Sequence, residues 1–468
     1  MHSSQIDRRR FLGLGLATAG AVVVHPALAV RAQAQAVGGG VYGPLLEPND
    51  LGIRLPEGFT VREVARSGEP VGPRNYIWHK RPDGGATFDT DDGGWIYVSN
   101  SETGNGGAGA LRFDDAGELV DAYRILEGTN TNCAGGPTPW GTWLSCEETD
   151  RGQVWECDPL GELPANVRPA LGTFKHEAAC VDPRREKLYL TEDREDGRFY
   201  RFTSSSWHDL DDGRLEVAAV AADGKVTWLV VTDRGGDPVP TRNQVDAATV
   251  FERGEGLWYS DGMVYMVTTG DGKVWAYDTE VERIDVLYDR SRFANPPLKS
   301  PDNITAMPSG EVLVAEDIDD DQDLILVSSD GIASPFIRLT GQEGSEITGP
   351  AFDPSGTRLY FSSQKGPSGR GEGTTYVVTG PFRAGTSPED PGTTTSIARS
   401  VTTLSERAAS GSGDGDDDGG PSPLWVGGGL VRHWSSAWAW VGACANATRR
   451  RQPNQTLLRD SSKSTRAA

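Results

Sequence analysis

The sequence has few cysteines and few methionines, and it lacks the basic residues that would balance its acidic ones. Its 468 residues include 5 Cys and 4 Met, and 45 Lys and Arg stand against 67 Asp and Glu, for a formal net charge of -22. Five cysteines are too few for a disulfide scaffold in a chain of this length. The acidic balance argues against nucleic acid as a partner, because phosphate backbones are bound by patches of Lys and Arg. It fits a soluble acidic protein, a calcium binder or a protein adapted to high salt, and composition alone leaves these three open.

A long amphipathic helical stretch is also missing from the body of the chain. Glycine (59 residues) and proline (29 residues) are abundant instead, which indicates many turns and favours a β-rich fold. Six short apolar segments with strand character recur, each preceded by a turn signal and each ending in polar or acidic residues. These segments are residues 94–102, 141–148, 187–193, 263–269, 311–317 and 358–364.

Six such units predict an all-β fold, a six-bladed β-propeller with extended loops, over residues 37–382. A general all-β sandwich is the alternative. In a propeller the innermost strand of every blade runs along a central channel. Residues at one end of the inner strands therefore meet near the axis, although they are far apart in the sequence.

The N-terminus has the layout of an export signal. Arg8, Arg9 and Arg10 precede an apolar run, and small residues that offer cleavage sites follow. This layout predicts a signal peptide over residues 1–36, and its Arg-Arg-x-Phe-Leu core looks like a twin-arginine signal. We therefore expect the twin-arginine export machinery as a partner and a periplasmic or extracellular location. An uncleaved apolar anchor is the alternative.

The C-terminal region changes composition. Residues 383–423 are rich in Ser, Thr, Gly and Asp, which predicts a low-complexity linker. Residues 424–468 combine an apolar, Trp-rich patch with a basic cluster, which is the layout of a C-terminal membrane anchor and would place the protein at the cell surface. The patch is too polar for a stable membrane span. Either an anchor garbled by a reading-frame error or a disordered tail would explain it.

Residues 132–148 hold an Asn, two thiols and two adjacent carboxylates around one short strand. Their Gly-Gly-Pro-Thr-Pro part cannot be helical, because proline lacks the amide hydrogen and glycine loses too much entropy. A short strand is predicted after it, and Cys146, Glu147 and Glu148 lie where that strand ends. A soft thiolate beside hard carboxylates suits a transition metal next to a hard cation such as calcium. The alternative is a buried free cysteine next to two solvated glutamates.

A second polar cluster precedes most of the acidic strand ends. These clusters are Asn132, 175–177, 253–255, 302–303 and 343–346. In a propeller the hairpin between paired strands would bring them to the same funnel as the acidic strand ends. So many carboxylates would repel one another and raise one another's pKa values unless cations were bound.

Several segments resemble the bacterial PhoX-type alkaline phosphatase family, over roughly residues 45–382. The similar segments are 132–148, 174–178, 190–194, 255–259, 301–304 and 314–317. The resemblance implies a six-bladed propeller with an iron–calcium cluster (Fe3+ and Ca2+) at one end of the channel. It also implies hydrolysis of small phosphorylated substrates, the phosphate monoesters, at alkaline pH.

The resemblance also implies roles for single residues. The thiolate ligand of iron falls on Cys146, its carboxylate ligands fall on Glu177 and Glu255, and the arginine that contacts phosphate falls on Arg253. Arg253, Glu255 and Glu177 are thus the catalytic candidates. The calcium ligands would come from Glu147, Glu148, Glu192, Asp193, Asp302, Glu316 and Asp317. The chain departs from longer members of the family, which have Arg-Pro-Glu where it has Arg-Gly-Glu at 253–255.

The other candidate residues are expected to be structural. We expect His176 to support the site rather than bind metal, and Cys133, Cys157 and Cys180 to pack within strands. Two other functions remain open from the sequence. One is a calcium-stabilised propeller that binds without catalysis, and the other is a lactonase-like calcium-dependent hydrolase, which would act on esters and need no thiolate.

Overall fold

The computed structural model describes residues 40–384, except residue 319. The predicted signal peptide, the linker beyond residue 384 and the tail lie outside these described residues. Within them the regular structure is almost entirely β-strand, with three single-turn 3-10 helices at Pro169–Leu171, Thr241–Asn243 and Arg290–Arg292. None of these helices is long and apolar enough to cross a membrane. Six sheets of four or five strands form a ring, so the predicted six-bladed propeller is confirmed.

The first three blades follow one another along the chain, and each starts with its innermost strand. Blade 1 consists of β5 (Pro82–Asp89), β6 (Trp95–Ser101), β7 (Gly106–Phe113) and β8 (Leu119–Thr129). Blade 2 consists of β9 (Asn132–Pro137), β10 (Trp143–Glu147), β11 (Val154–Cys157) and β12 (Asn166–Val167). Blade 3 consists of β13 (His176–Asp182), β14 (Lys187–Glu192), β15 (Phe199–Ser204), β16 (Gly213–Val220) and β17 (Val226–Val230).

The last two blades recruit strands from the start of the described chain. Blade 4 consists of β18 (Gly254–Ser260), β19 (Met263–Thr268), β20 (Lys273–Asp278) and β21 (Arg283–Asp289). Blade 5 consists of β22 (Pro301–Ala306), β23 (Val312–Glu316), β24 (Gln322–Val327) and β25 (Ala333–Leu339), with β1 (Ile53–Arg54) at its edge. Blade 6 consists of β26 (Ile347–Phe352), β27 (Arg358–Ser363) and β28 (Thr374–Thr379), with β2 (Thr60–Arg66) at its edge. A small hairpin of β3 (Pro70–Val71) and β4 (Tyr76–Ile77) stands apart.

Strand β2 closes the ring. It pairs antiparallel with β28, so that Thr60 lies opposite Thr379 and Arg66 lies opposite Thr374. The last blade is therefore built from both ends of the described chain, and this pairing holds the two ends of the ring together. Closure of this kind also covers the outer edge of β28, which would otherwise offer unpaired backbone groups.

The six apolar segments recognised in the sequence are the second strands of the blades, β6, β10, β14, β19, β23 and β27. Their side chains are buried because both faces of each sheet pack against a neighbouring blade. Between blades 1 and 6, for example, the rings of Tyr97 and Tyr360 stack with centroids 4.9 Å apart. The innermost strand of each blade is the segment that directly precedes its second strand.

One irregularity recurs where the inner strand of each blade pairs with the second strand. Two consecutive residues of the inner strand face one residue of the second strand, which is the arrangement of a β-bulge. In blade 1, Asp83 and Gly84 together face Asn100. The six bulged pairs are Asp83-Gly84, Cys133-Ala134, Glu177-Ala178, Glu255-Gly256, Asp302-Asn303 and Gly349-Pro350.

Glycine in these bulges is required by the close approach of neighbouring inner strands. A Cβ atom on Gly84 would lie 2.5 Å from the Cα of Ala134, and one on Gly256 would lie 2.7 Å from the carbonyl oxygen of Asp302. Such distances are far inside van der Waals contact, so no side chain fits at either position. At these two bulges the neighbouring inner strands therefore pack directly against the glycine backbone.

Candidate metal centre

In five of the six blades, the first bulged residue is an acid or a thiol. We call this set the channel cluster: Asp83, Cys133, Glu177, Glu255 and Asp302, from blades 1 to 5 in order. All five side chains are buried, and Glu177 has no exposed surface at all. Because the bulge has the same position in every blade, residues that are tens to hundreds of positions apart in the sequence come together.

Two overlapping groups of ligand atoms define the centre of the cluster. The thiol of Cys133 and one carboxylate oxygen each of Glu148 and Glu177 lie within 4.8 Å of one another. Oxygens of Glu177, Glu255 and Asp302 form a second group within the same limit. Glu177 belongs to both groups, and its Oε2 atom has no hydrogen-bond partner among the described residues. A buried oxygen is normally paired, so Glu177 has a free ligand position at the middle of the site.

Burial and mutual repulsion dominate the electrostatics of the cluster. Burial first, and neighbouring carboxylates second, raise the pKa values of Asp83, Glu177, Glu255 and Asp302 well above the usual range. The same two causes raise the pKa of the Cys133 thiol. Without added positive charge, burial and repulsion therefore favour the protonated forms of these groups.

Two basic side chains bridge the rim of the cluster. Lys175 Nζ lies 2.8 Å from Glu148 Oε1 and also contacts Asp193. Arg253 donates from Nε to Asp193 at 2.8 Å and from a terminal nitrogen to Glu255 at 2.7 Å. Burial and a hydrogen bond with Asp193 raise the pKa of Glu148 to about 8. Burial opposes the shift at Asp193, but hydrogen bonds from Arg253, Glu148 and Lys175 lower its pKa to about 2.

A further acidic group adjoins the cluster on the side of blades 1 and 6. Gln364 Nε2 donates to Asp83 Oδ2 at 2.6 Å and to Glu102 Oε2 at 2.9 Å. Glu346 pairs with Lys365 at 2.8 Å, and burial and the charge of Asp317 raise its pKa to about 7. Carboxylates thus continue around the axis from blade 2 to blade 6.

The donor set fits a mixed group of metal ions. Carboxylate oxygens are the ligands that calcium prefers, and a thiolate suits a transition metal such as iron. Multivalent cations would stabilise the ionised forms whose pKa values burial and repulsion raise. The predicted meeting of acidic residues and a thiol at one end of the channel thus has a geometric basis.

The prediction of Cys146 as the thiolate ligand is wrong, because the structure places Cys133 in the cluster. Cys146 faces the other side of its strand, fully buried among Leu144, Val154 and other apolar side chains. Cys133, which was expected to be a packing residue, occupies the first position of the blade 2 bulge. The two thiols lie opposite each other across the β9–β10 pair, so the sequence motif could not distinguish them.

Glu147 and Glu148 also divide into two roles. Both carboxylate oxygens of Glu147 accept backbone N–H groups, from Asn130 at 3.0 Å and Gln153 at 3.1 Å. Glu147 therefore ties two loops together, in contrast to its predicted role as a metal ligand. Glu148 is the member of the pair that reaches Cys133 and Glu177.

Two further predicted calcium ligands lie in hydrogen-bond networks of their own. Glu192 is buried, accepts the hydroxyl of Tyr200 at 2.8 Å and pairs with Arg242 at 3.1 Å. Glu316 accepts the backbone N–H of Lys299 at 2.6 Å. Burial raises the pKa values of both carboxyl groups to about 7. Neither belongs to the two close groups of ligand atoms within residues 40–384.

His176, which the sequence predicted to support the site, is buried at the start of β13. Its ring stacks on Phe174, and its Nε2 atom lies 3.1 Å from the carbonyl oxygen of Gly172. Burial lowers its pKa to about 3, so the ring is neutral.

Asp83 was not predicted from the sequence. The signal that would have found it is an acid followed by glycine in the strand before a buried strand, as in Glu255-Gly256.

The fold and the site together define a six-bladed propeller with a buried acid–thiol cluster at one end of its channel. The profile of the family described as alkaline phosphatase PhoX matches residues 106–157, 149–292 and 288–366. These segments span more than half of the chain and include Cys133, Glu148, Glu177, Glu255 and Asp302. The chain belongs to the PhoX alkaline phosphatase family.

Comparison with curated protein sequences gave no match. Among solved structures, a luciferin-regenerating enzyme has 14% identity and a TM-score of 0.42, with 72% of this chain and 100% of that chain covered. A gluconolactonase from Xanthomonas campestris has 14% identity and a TM-score of 0.40, with 72% and 98% covered. A calcium-binding protein, regucalcin, from Agrobacterium tumefaciens has 13% identity and a TM-score of 0.39, with 70% and 98% covered. Likeness this low says nothing about the activity of this chain.

Proposed function

We propose that this protein is an exported, metal-dependent phosphatase that hydrolyses phosphate monoesters at the channel cluster, with iron and calcium as its metals. The observation that carries the proposal is the position of Arg253 beside a buried group of acids and one thiol. Arg253 reaches both Asp193 and Glu255, so its guanidinium lies at the edge of the cluster. A non-catalytic calcium propeller would need neither the thiol nor the arginine.

The residues of the cluster divide by chemistry between the two kinds of metal. Cys133, Glu177 and Glu255 offer the sulfur and carboxylate ligands that suit iron. Asp83, Glu102, Glu148, Asp302 and Glu346 offer oxygen ligands that suit calcium. Bound there, such ions would supply Lewis acidity and positive charge for the phosphoryl oxygens.

Arg253 is the residue best placed to orient a phosphoryl group. Its planar guanidinium can donate two parallel hydrogen bonds to a phosphate, which a point charge such as lysine cannot do. Asp193, with its lowered pKa, stays ionised and holds the Nε edge of Arg253 at 2.8 Å. Lys175, shared between Glu148 and Asp193, supports this arrangement from the other side.

Hydrolysis of p-nitrophenyl phosphate by the purified full chain tests the proposal. We expect hydrolysis at alkaline pH, its loss on treatment with a chelator, and iron and calcium in elemental analysis of the active protein. Protein that contains both metals and yet releases no p-nitrophenol would overturn the proposed activity. Hydrolysis of a lactone in place of the phosphate ester would favour the lactonase-like alternative.

Export by the twin-arginine route is part of the proposal, and the Arg8-Arg9 pair supports it. We expect fractionation of cells that express the full chain to find the protein outside the cytoplasm. The double variant Arg8→Lys, Arg9→Lys keeps the charge and is expected to stay inside. Export of this double variant at the normal level would contradict the assigned route.

A further inference from the structure

A cavity next to the channel cluster has the features of a second anion site. It has a volume of about 190 Å³ and lies between the loops of blades 2 and 3. Three of the residues that line it are arginines, and among its lining residues Asp150 is the only acid. The lining residues used below are Asp150, Arg151, Arg194, Thr241 and Arg242. Three guanidinium groups thus surround one cavity, and carboxylates pair with two of them, Arg194 and Arg242.

The hydrogen bonds of the three arginines leave donors free for a ligand. Arg194 contacts Asp150 through a terminal nitrogen, but its buried Nε has no partner among the described residues. Arg151 donates to the carbonyl oxygen of Gly236 at 3.3 Å. Arg242 donates to Glu192 and Asp196, each at 3.1 Å, which fixes its position in the wall. An anion that displaces Asp150 would give the Arg194 guanidinium, whose Nε has no partner among the described residues, a new acceptor.

The cavity and the channel cluster share the same three segments of chain. Glu148 belongs to the cluster, and Asp150 and Arg151 line the cavity. Lys175 and Asp193 bridge the rim of the cluster, and their neighbours Phe174 and Arg194 line the cavity. The cavity and the cluster are therefore adjacent along all three segments.

The size of the cavity limits what it holds. Sites that enclose a drug-sized ligand have volumes of about 300–1,000 Å³, so this cavity accepts a group rather than a whole molecule. Guanidinium groups favour phosphate, because two parallel N–H donors match two phosphate oxygens. Asp150 is largely exposed, with 77% of its side chain accessible, so it can turn away to admit an anion.

We propose that this cavity binds the second phosphate of a bisphosphorylated substrate whose first phosphate is hydrolysed at the channel cluster. The proposal rests on the proposed phosphatase function and narrows its substrate class. It assigns Arg194 and Arg151 a role in specificity, outside the hydrolysis itself.

A pair of substrates that differ by one phosphate tests the proposal. The probes are fructose 1,6-bisphosphate and fructose 6-phosphate, and the readout is the ratio of their kcat/KM values with the metal-loaded full chain. We expect a ratio of about ten or more in the wild type, because charge-assisted hydrogen bonds are lost with the second phosphate. We expect Arg194→Gln and Arg151→Gln each to lower the ratio several-fold, with the rate on fructose 6-phosphate unchanged.

The matched control is Arg74→Gln, which removes one exposed arginine paired with an aspartate, Asp121, at 2.9 Å, outside the cavity lining. It is expected to leave the ratio at the wild-type value. A wild-type ratio near one, or a ratio that neither cavity variant changes, overturns the proposal. If neither fructose ester nor p-nitrophenyl phosphate is hydrolysed, the proposed phosphatase function fails, and calorimetric titration of the same bisphosphate decides the anion site separately. Weaker binding by Arg194→Gln than by Arg74→Gln then supports the site, and equal binding overturns it. If p-nitrophenyl phosphate alone is hydrolysed, the phosphatase function stands and the proposed substrate class is overturned.

Discussion

The thiol of Cys133 donates a hydrogen bond to Oε1 of Glu177 over 3.2 Å, which joins blades 2 and 3 at the end of the channel. This contact pairs a soft sulfur with a hard carboxylate on two adjacent inner strands. It also separates the functional thiol from Cys146, which lies among apolar side chains on the far side of the strand pair.

Replacement of the two cysteines should therefore have different effects. We expect Cys133→Ser to lower the affinity for iron at least tenfold, because a hydroxyl is a poor substitute for a soft thiolate ligand. Cys146→Ala should keep the wild-type metal content and lose about 1 kcal/mol of stability through the small void in the core. Elemental analysis and urea unfolding of both variants measure these effects. Loss of iron from Cys146→Ala alone would restore the thiolate assignment made from the sequence.

The adjacent acids Glu147 and Glu148 allow a similar test within one dipeptide. We expect Glu148→Gln to reduce metal content and phosphatase activity at least tenfold, because Glu148 shares its ligand group with Cys133 and Glu177. Glu147→Gln should remain active and lose about 0.5–1.5 kcal/mol of stability, since its carboxylate only accepts two backbone hydrogen bonds. Equal metal loss in the two variants would place Glu147 in the site after all.

Arg253→Lys tests whether the guanidinium fork matters beyond its charge. We expect kcat/KM for p-nitrophenyl phosphate to fall about 10–100-fold at unchanged metal content, because a lysine cannot make the paired hydrogen bonds. The control is Arg338→Lys, which alters an arginine that pairs with buried Asp323 through two hydrogen bonds in blade 5. It should lower stability and leave kcat/KM unchanged. An activity loss in Arg253→Lys that follows metal loss in proportion would mean that Arg253 is structural only.

The sequence was sufficient for the fold because the strongest pattern marks the second strands. Those strands are buried on both faces, so their apolar runs stand out, and the six predicted segments agree with β6, β10, β14, β19, β23 and β27 to within one or two residues. Closure of the ring by β2 and the edge pairing of β1 could not be predicted. Each of these strands pairs with residues about 280–320 positions away, and such pairing leaves no local pattern.

The site was harder to predict because its geometry depends on the bulges. A bulge shifts the direction of side chains by one residue, which regular strand alternation does not anticipate. The family resemblance assigned the thiolate to Cys146 instead of Cys133 and included Glu147 among the calcium ligands, and Asp83 was missed. Glu177, Glu255 and Asp302 were found because each lies in a polar cluster that stands out from its surroundings. The local signal of an acid before a small residue becomes convincing only when it recurs in several blades.

Removal of the metals should make stability depend on pH. The raised pKa values mean that the folded, metal-free chain binds more protons than the unfolded chain, so its free energy of unfolding falls as the pH rises. The fall begins near 4.5, the ordinary value for glutamate, and extends to at least about 8, the raised pKa of Glu148. Urea unfolding of chelator-treated protein at pH 5, 7 and 9 measures it, with metal-loaded protein as the control. If the stability of the metal-free chain increased over this pH range, repulsion among the carboxylates of the channel cluster would be contradicted.

Asp83 provides a test in which the sign of the effect depends on the metals. Its carboxyl group is buried at the first bulge, where Glu102 and Glu346 raise its pKa further. Asp83→Asn removes one negative charge from this group without changing its size. In the metal-free chain above the ordinary pKa of aspartate we expect the variant to be more stable than the wild type. The buried Asp83 carboxyl group must either keep its charge or take up a proton there, and both cost free energy that a neutral amide avoids.

In the metal-loaded protein the same substitution should have the opposite effect, since a neutral amide is a weaker ligand for calcium than a carboxylate. We therefore expect Asp83→Asn to bind less calcium than the wild type. Its thermal unfolding midpoint should also rise less than that of the wild type when calcium is added. Asp182→Asn is the matched control, because Asp182 is equally buried on β13 but accepts the backbone N–H groups of Arg184 and Arg185. It should lose about 1 kcal/mol with or without metal. A substitution can stabilise the metal-free protein and destabilise the metal-loaded protein only if bound cations balance the charge of the residue it replaces. An equal loss of stability in both forms of Asp83→Asn would therefore exclude Asp83 from the metal centre.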